Sequence, residues 1–191
     1  MVPNTNCIMI DYDGVIVDTN RQKSKWITEN LGLNIPPGKC DRTHCVEMIG
    51  LHEYMRMGKA VYGPELSLAA QPLPSLLEAV QNLSRSWKLI ILSARPEKYL
   101  KWAIQWMENQ KLTHYFEEIV TSHGREKLEL ADKMRAAIML DDDTRHLMST
   151  NYGHIARYHF DVDLESDHLW QPPIMHVRSW RTFYTIITPQ V

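Results

Sequence analysis

The sequence predicts a doubly wound α/β fold: a Rossmann-like parallel sheet of about five strands, helices on both faces, and a small helical cap insertion. Three observations carry this expectation. Short runs rich in Ile, Val and Leu recur without polar alternation, as strands buried on both faces require. Segments with helical apolar spacing lie between most of these runs. One interval between runs is much longer than an ordinary strand-to-helix connection.

The first strand is "CIMI" (7–10). About 70 residues separate it from the next apolar run, where a strand-to-helix connection needs only a few. The interval holds "WITENLGLNIPPGKC", a polar, Met-rich stretch and the breaker-rich "YGPELSLAAQPLP". Residues 20–73 are therefore expected to form a helical cap over the C-terminal end of the first strand, with 1–19 and 74–191 as the α/β core. "PSLLEAVQNLSR" (74–85) puts Leu76, Leu77, Val80 and Leu83 on one helical stripe. "WKLIIL" (87–92) is the second strand. "PEKYLKWAIQWMENQ" (96–110) opens with Pro at a first helical position, and Tyr99, Leu100, Ala103, Ile104 and Met107 follow helical spacing. "EEIV" (117–120), the helix "REKLELADKMRA" (125–136), "AIML" (137–140) and "HIARYHF" (154–160) continue the alternation. "IMHV" (174–177) is a candidate extra edge strand.

Composition is that of a globular chain: 191 residues, 44% hydrophobic and 23% charged, enough for a sizeable core. The net charge of -2 supplies no strong nucleic-acid signal and no membrane attraction. Three cysteines, Cys7, Cys40 and Cys45, make a poor disulfide framework and fit a reducing compartment. Cys40 and Cys45, with His44 and His52 nearby, do not have a standard zinc spacing, and no second Cys pair follows. No apolar run approaches the roughly 18 residues of a bilayer span, and the first residues lack signal-peptide features. A soluble, cytoplasmic protein is expected. Oligomeric state is not legible.

The chemistry concentrates where strands end. Asp11 and Asp13 share one side of the extended chain, with Tyr12 turned away, and Gly14 allows a sharp turn. Two such close acids repel unless a cation or proton lies between them, and clustered oxygen ligands suit Mg2+. A second strand, "AIML", also runs into acids: Asp141, Asp142 and Asp143. In an open α/β sheet both clusters can meet beyond the carboxyl ends of the strands. Ser93 follows the second strand and Lys127 opens a helix. A hydroxyl, an ammonium, a carboxylate nucleophile and Mg2+ are what phosphoryl transfer calls for.

Asp11-Tyr12-Asp13-Gly14, Ser93, Lys127 and Asp141-Asp142-Asp143, in that order and each at a strand end or helix start, resemble the signature of the haloacid dehalogenase-like hydrolases. The resemblance covers most of the chain outside the insertion. It implies Asp11 as the nucleophile that forms an aspartyl-phosphate, and Asp13 as general acid and base, its carbonyl also binding Mg2+. It implies Ser93 and Lys127 as phosphate-binding catalytic residues. Arg95, by its own chemistry, is a further candidate phosphate ligand. Mg2+ would be held by Asp11, Asp13 and Asp142, with Asp141 in support. Lys133 is the rival of Lys127, and the triple Asp leaves the metal register open by one residue. Within the family, "YDGVIVDT", "LDDD", the cap position and "VRSW" are most similar to the 5'-nucleotidase branch with its deoxyribonucleotidases. That implies a small phosphorylated substrate, a nucleotide. "LSARPEKYLKWAIQWMENQKL" instead resembles the phosphatase half of polynucleotide end-processing enzymes.

The same residues also suit blander roles. Asp18 suits a turn-holding role, Ser93 a helix cap, and Arg95 an ion pair. Trp26, Tyr54 and Tyr62 can stack on a base or fill the cap's own core. His154, His159, His168 and His176 are scattered and are assigned no role. A signalling receiver would carry its phosphoacceptor on the third strand, which here ends "EEIVTSH". A catalytically retired phospho-ligand binder on the same scaffold would not need the acids intact.

Overall fold

The computed structural model describes residues 6–188; the outermost residues of the expected core, 1–5 and 189–191, lie outside that range. Its strands are β1 Cys7–Ile10, β2 Lys88–Ser93, β3 Glu118–Thr121, β4 Ile138–Asp141, β5 Ala156–Phe160, β6 His168–Gln171 and β7 Ile174–Val177. Its helices are α1 Thr19–Leu31, α2 Arg42–Val61, α3 Pro64–Leu68, α4 Leu76–Leu83, α5 Glu97–Asn109, α6 Lys127–Lys133 and α7 Trp180–Ile187. The strands form one sheet in the order β3-β2-β1-β4-β5-β7-β6, parallel except where β6 meets β7.

Side-chain alternation along β1 divides the core in two. Ile8 and Ile10 enter one cluster with Trp106 of α5, Val80 of α4 and Trp180 of α7. Cys7 and Met9 enter the other, with Leu128 and Ala131 of α6 and with Leu147. Both faces are thus covered, which is why the strands read as unbroken apolar runs.

The sheet has seven strands where about five were expected. Residues 174–177 do form a strand, but an interior one, because β6 pairs outside it. β6, "HLWQ", is exposed along its whole length. It buries no apolar run, so only backbone pairing with β7 makes it a strand.

Between β1 and β2 the chain folds into α1, a short 3-10 turn at Pro37–Lys39, α2 and α3. Trp26, Ile27, Ile35, Cys40, Cys45, Met57 and Val61 form a separate apolar cluster there. Asp18 starts α1 by accepting from the Arg21 amide at 3.1 Å, and Asp41 starts α2 by accepting from the Thr43 amide at 2.8 Å. α2 is broken at Gly50, whose φ of 78° suits a residue without Cβ. All three cysteines are free and buried, and His44 is held by Asp41. No helix among the described residues is long and apolar enough to cross a membrane.

Strand order reverses between β1 and β4: β2 and β3 continue to one side, β5 to the other. Diverging connections leave a crevice at the carboxyl ends of these two strands. Both acidic clusters sit at that point.

Candidate active site

β1 delivers Asp11 to the crevice, and its amide donates to Leu140 O of β4 at 2.9 Å. Tyr12 turns back into the core, edge-on to Trp106 at 6.0 Å. Asp13 then emerges beside Asp11, as strand alternation demands. Gly14 has a φ of +77°, and a Cβ there would lie 2.0 Å from Asp142 Oδ2. Glycine is what allows the first acidic loop and the last to touch.

Lys127 is wholly buried and joins two of the acids. Its Nζ lies 2.8 Å from Asp11 Oδ2 and 2.7 Å from Asp141 Oδ2. Lys133 lies on the exposed side of the same helix, paired with Glu129. Asp141 also accepts from the Asp143 amide at 2.9 Å, and His146 Nδ1 lies 3.1 Å from it. Burial would raise Asp141, but Lys127 and His146 outweigh it and hold this carboxyl well below the usual range. Asp141 is therefore a fixed anion with its oxygens largely engaged.

Asp11 behaves in the opposite way. Burial pushes it up to about 7, with Lys127 opposing and Asp141 and Asp13 adding to the rise. Asp142 is raised as well, by burial and then by Asp11. Its Oδ2 accepts from Asn20 Nδ2 at 2.9 Å. Asp11 is buried and Asp142 partly buried, both carboxyls are raised, and every ligand atom they offer is an oxygen. That set fits Mg2+, with Asp11 and Asp142 supplying the carboxylates. Asp11, Asp141 and His146 also lie close enough to share a cation, and Lys127 stands between Asp11 and Asp141.

Asp13 is gripped by Arg95: Nε donates to Oδ2 at 2.8 Å and Nη2 to Oδ1 at 2.7 Å. Thr19 Oγ1 adds a third bond at 2.7 Å. Burial would raise Asp13, but the guanidinium prevails and lowers it. Arg95 also donates to Ser67 Oγ of α3 at 2.5 Å and lies 4.8 Å from the rings of Tyr12 and Tyr62. Ser93 is buried at the end of β2, where its Oγ accepts from the Arg95 amide at 3.1 Å.

A cavity of about 240 Å³ opens over these residues, lined by Asp11, Asp13, Ala94, Arg95 and Asp142 from the sheet side. Lys23, Arg42, Tyr54 and Tyr62 line it from the α1–α3 side. Sequence reading brought Asp11, Asp13, Arg95 and Asp142 here; Lys127, Asp141 and Ser93 lie just behind its wall. It missed Lys23 and Arg42, which line the cavity from the helices, Asn20, which bonds Asp142, and His146, in the 3-10 turn after β4; none belongs to a motif. His159 has its Nε2 3.0 Å from the Asp142 carbonyl oxygen. Trp26 is buried in the apolar cluster of α1 and α2 rather than in the cavity. Asp18 caps α1 and pairs with Arg21 at 3.0 Å.

No model of a protein family matches the sequence, and no curated protein is significantly similar to it. Solved structures share its fold. A haloacid dehalogenase-like (HAD) family hydrolase from Streptococcus pneumoniae superposes with a TM-score of 0.67 at 15% identity, over 96% of this chain and 99% of that one. A HAD-hydrolase from Bacillus subtilis bound to magnesium gives 0.61 at 13% identity, over 97% and 99% of the two chains. A subfamily IA, variant 1, HAD-superfamily hydrolase from Geobacter sulfurreducens gives 0.60 at 13%, over 96% and 97%. The likeness is one of fold: a mostly parallel α/β sheet with inserted helices.

Proposed function

We propose that this protein is a Mg2+-dependent phosphatase that hydrolyses a phosphate monoester, a nucleotide, through an aspartyl-phosphate on Asp11. The observation that carries the reading is the contact of Asp11 with buried Lys127 at 2.8 Å, at the strand-order reversal and beside Asp142. The kinship in fold with HAD hydrolases supports it. Residues 20–73 are the cap of that enzyme, and the three free cysteines suit a cytoplasmic setting.

Asp11 is the nucleophile: one of its carboxylate oxygens bonds to phosphorus as the ester P–O bond breaks. Lys127 orients that carboxylate and offsets charge on the phosphoryl oxygens. Ser93 Oγ, and the backbone beside Ala94, face the same strand end and hold the phosphoryl group. Asp13 gives a proton to the leaving oxygen, then takes one from the water that hydrolyses the aspartyl-phosphate, restoring Asp11. Paired with Arg95, Asp13 is ionised and suited to the second step; the first requires that pairing to loosen as an anionic substrate enters. Mg2+, when held by Asp11, Asp142 and the Asp13 carbonyl, supplies charge neutralisation to the phosphoryl group.

A panel of phosphate esters with Mg2+ tests this, with Asp11→Asn as the partner measurement. Turnover that disappears in Asp11→Asn and in chelator is expected. Undiminished hydrolysis by Asp11→Asn would sink the proposal.

A further inference from the structure

Most cations around the cavity are already matched. Arg95 pairs with Asp13, Lys127 with Asp11 and Asp141, and Arg145 with Asp143. Lys23 of α1 is different. It is 6% exposed, yet among the described residues it makes one hydrogen bond, to Asn20 Oδ1 at 2.9 Å, and no ion pair. An ammonium has three donors, and a buried charge without a counter-charge is costly. Burial works against its proton, but the fields of Asp142 and Asp13 help to keep it charged. Its side chain faces the cavity.

Arg42, at the start of α2, lines the same cavity. It is exposed and likewise forms no ion pair among the described residues. Tyr54 and Tyr62 line the same side of the cavity. The cap side of the cavity therefore carries two cations, Lys23 and Arg42, against one acid, Asp41, which already caps α2 and holds His44, whereas one phosphoryl group above Asp11 is already served by Lys127. Cations without an ion-pair partner, lining one side of a cavity, are what a second anionic group on the ligand would satisfy.

We infer that the substrate carries a second phosphate on its leaving group, held between Lys23 and Arg42. This rests on the phosphatase reading. A nucleoside bisphosphate and the phosphorylated end of an oligonucleotide share this chemistry.

The experiment measures kcat/KM of the full chain with Mg2+ on p-nitrophenyl phosphate, nucleoside 3'- and 5'-monophosphates, the 3',5'-bisphosphate and a 3'-phosphorylated dinucleotide. The better doubly phosphorylated compound should exceed its matched monophosphate by about tenfold or more, the worth of a charge-assisted hydrogen bond. Which of the two is better separates free nucleotide from strand end. Arg42→Ala and Lys23→Met should bring the ratio toward one, mainly through KM. Lys25→Ala, which loses an exposed pair with Glu29 at 3.7 Å, should keep it. Equal kcat/KM for matched mono- and bisphosphates, with p-nitrophenyl phosphate turned over, overturns the inference and leaves the phosphatase reading standing. If no ester turns over, that reading fails. The subsite is then decided by equilibrium binding of the bisphosphate to Asp11→Asn protein: affinity no better than the monophosphate's, or unchanged by Arg42→Ala, overturns it.

Discussion

Arg95 holds Asp13 with a two-pronged grip, Nε at 2.8 Å from one carboxylate oxygen and Nη2 at 2.7 Å from the other. The same guanidinium reaches Ser67 at 2.5 Å and lies against Tyr12 and Tyr62. One side chain thus ties the loop after β1, the end of β2 and the helices inserted between them. A planar fork can do this; a lysine cannot.

Replacing Arg95 with Met leaves Asp13 largely buried without a counter-charge, and stability should fall by about 3–5 kcal/mol. Urea denaturation of both proteins measures it. Arg95→Lys keeps the charge but loses the fork, so it should recover only part. Because Arg95 lowers Asp13 below its ordinary 3.8, this stabilisation is complete above that pH and is lost as pH falls through the lowered value.

Lys127 is the sole cation bridging Asp11 and Asp141 among the described residues. Lys127→Met should abolish turnover and cost about 3–5 kcal/mol, since two buried carboxylates lose their partner. Lys133→Ala, on the exposed side of α6, should leave both the denaturation midpoint and kcat unchanged. Equal effects of the two substitutions would refute the placement of the lysine.

The pH dependence of metal-free stability follows from Asp11. The unfolded chain releases this proton near the ordinary 3.8, whereas the native site keeps it until about 7. Between those values the native state binds more protons, so stability falls as pH rises from about 4 to about 7 and is level above. Asp11→Asn should reduce the slope, leaving the share that the raised Asp142 contributes. Mg2+ competes with the same proton, so its gain in Tm should be larger at about pH 7.5 than at about pH 5.5. Thermal melts with and without Mg2+ at both pH values check this.

Gly14→Ala places a methyl group 2.0 Å from Asp142 Oδ2 at a residue whose φ is +77°. The backbone alone should cost about 1–2 kcal/mol, and Asp142 must move. Mg2+ should then stabilise the variant much less than the parent, as a thermal titration would reveal. Gly32→Ala, whose Cβ would meet nothing within 4 Å, carries the backbone strain alone and should leave the response to Mg2+ intact.

The apolar runs and helical stripes identified six of the seven strands and the helices α4, α5 and α6, because buried parallel strands must be apolar on both faces. β6 was illegible: its residues are exposed, and only the neighbour across the hydrogen bonds defines it. Asp11, Asp13, Lys127 and the Asp141–Asp143 run were legible because each stands where a strand ends or a helix begins, and chain direction alone sends such residues to one rim. Which lysine reaches the acids was decided by the facing of α6. That Arg95 would grip Asp13 was decided by β1 and β2 lying side by side, and that Lys23 would enter the cavity by how α1 docks on the sheet. Sequence determined the acids and their rim, since period and polarity are local properties. Partners, burial and proton affinity belong to the tertiary structure, because they depend on charges brought together from positions far apart in the chain.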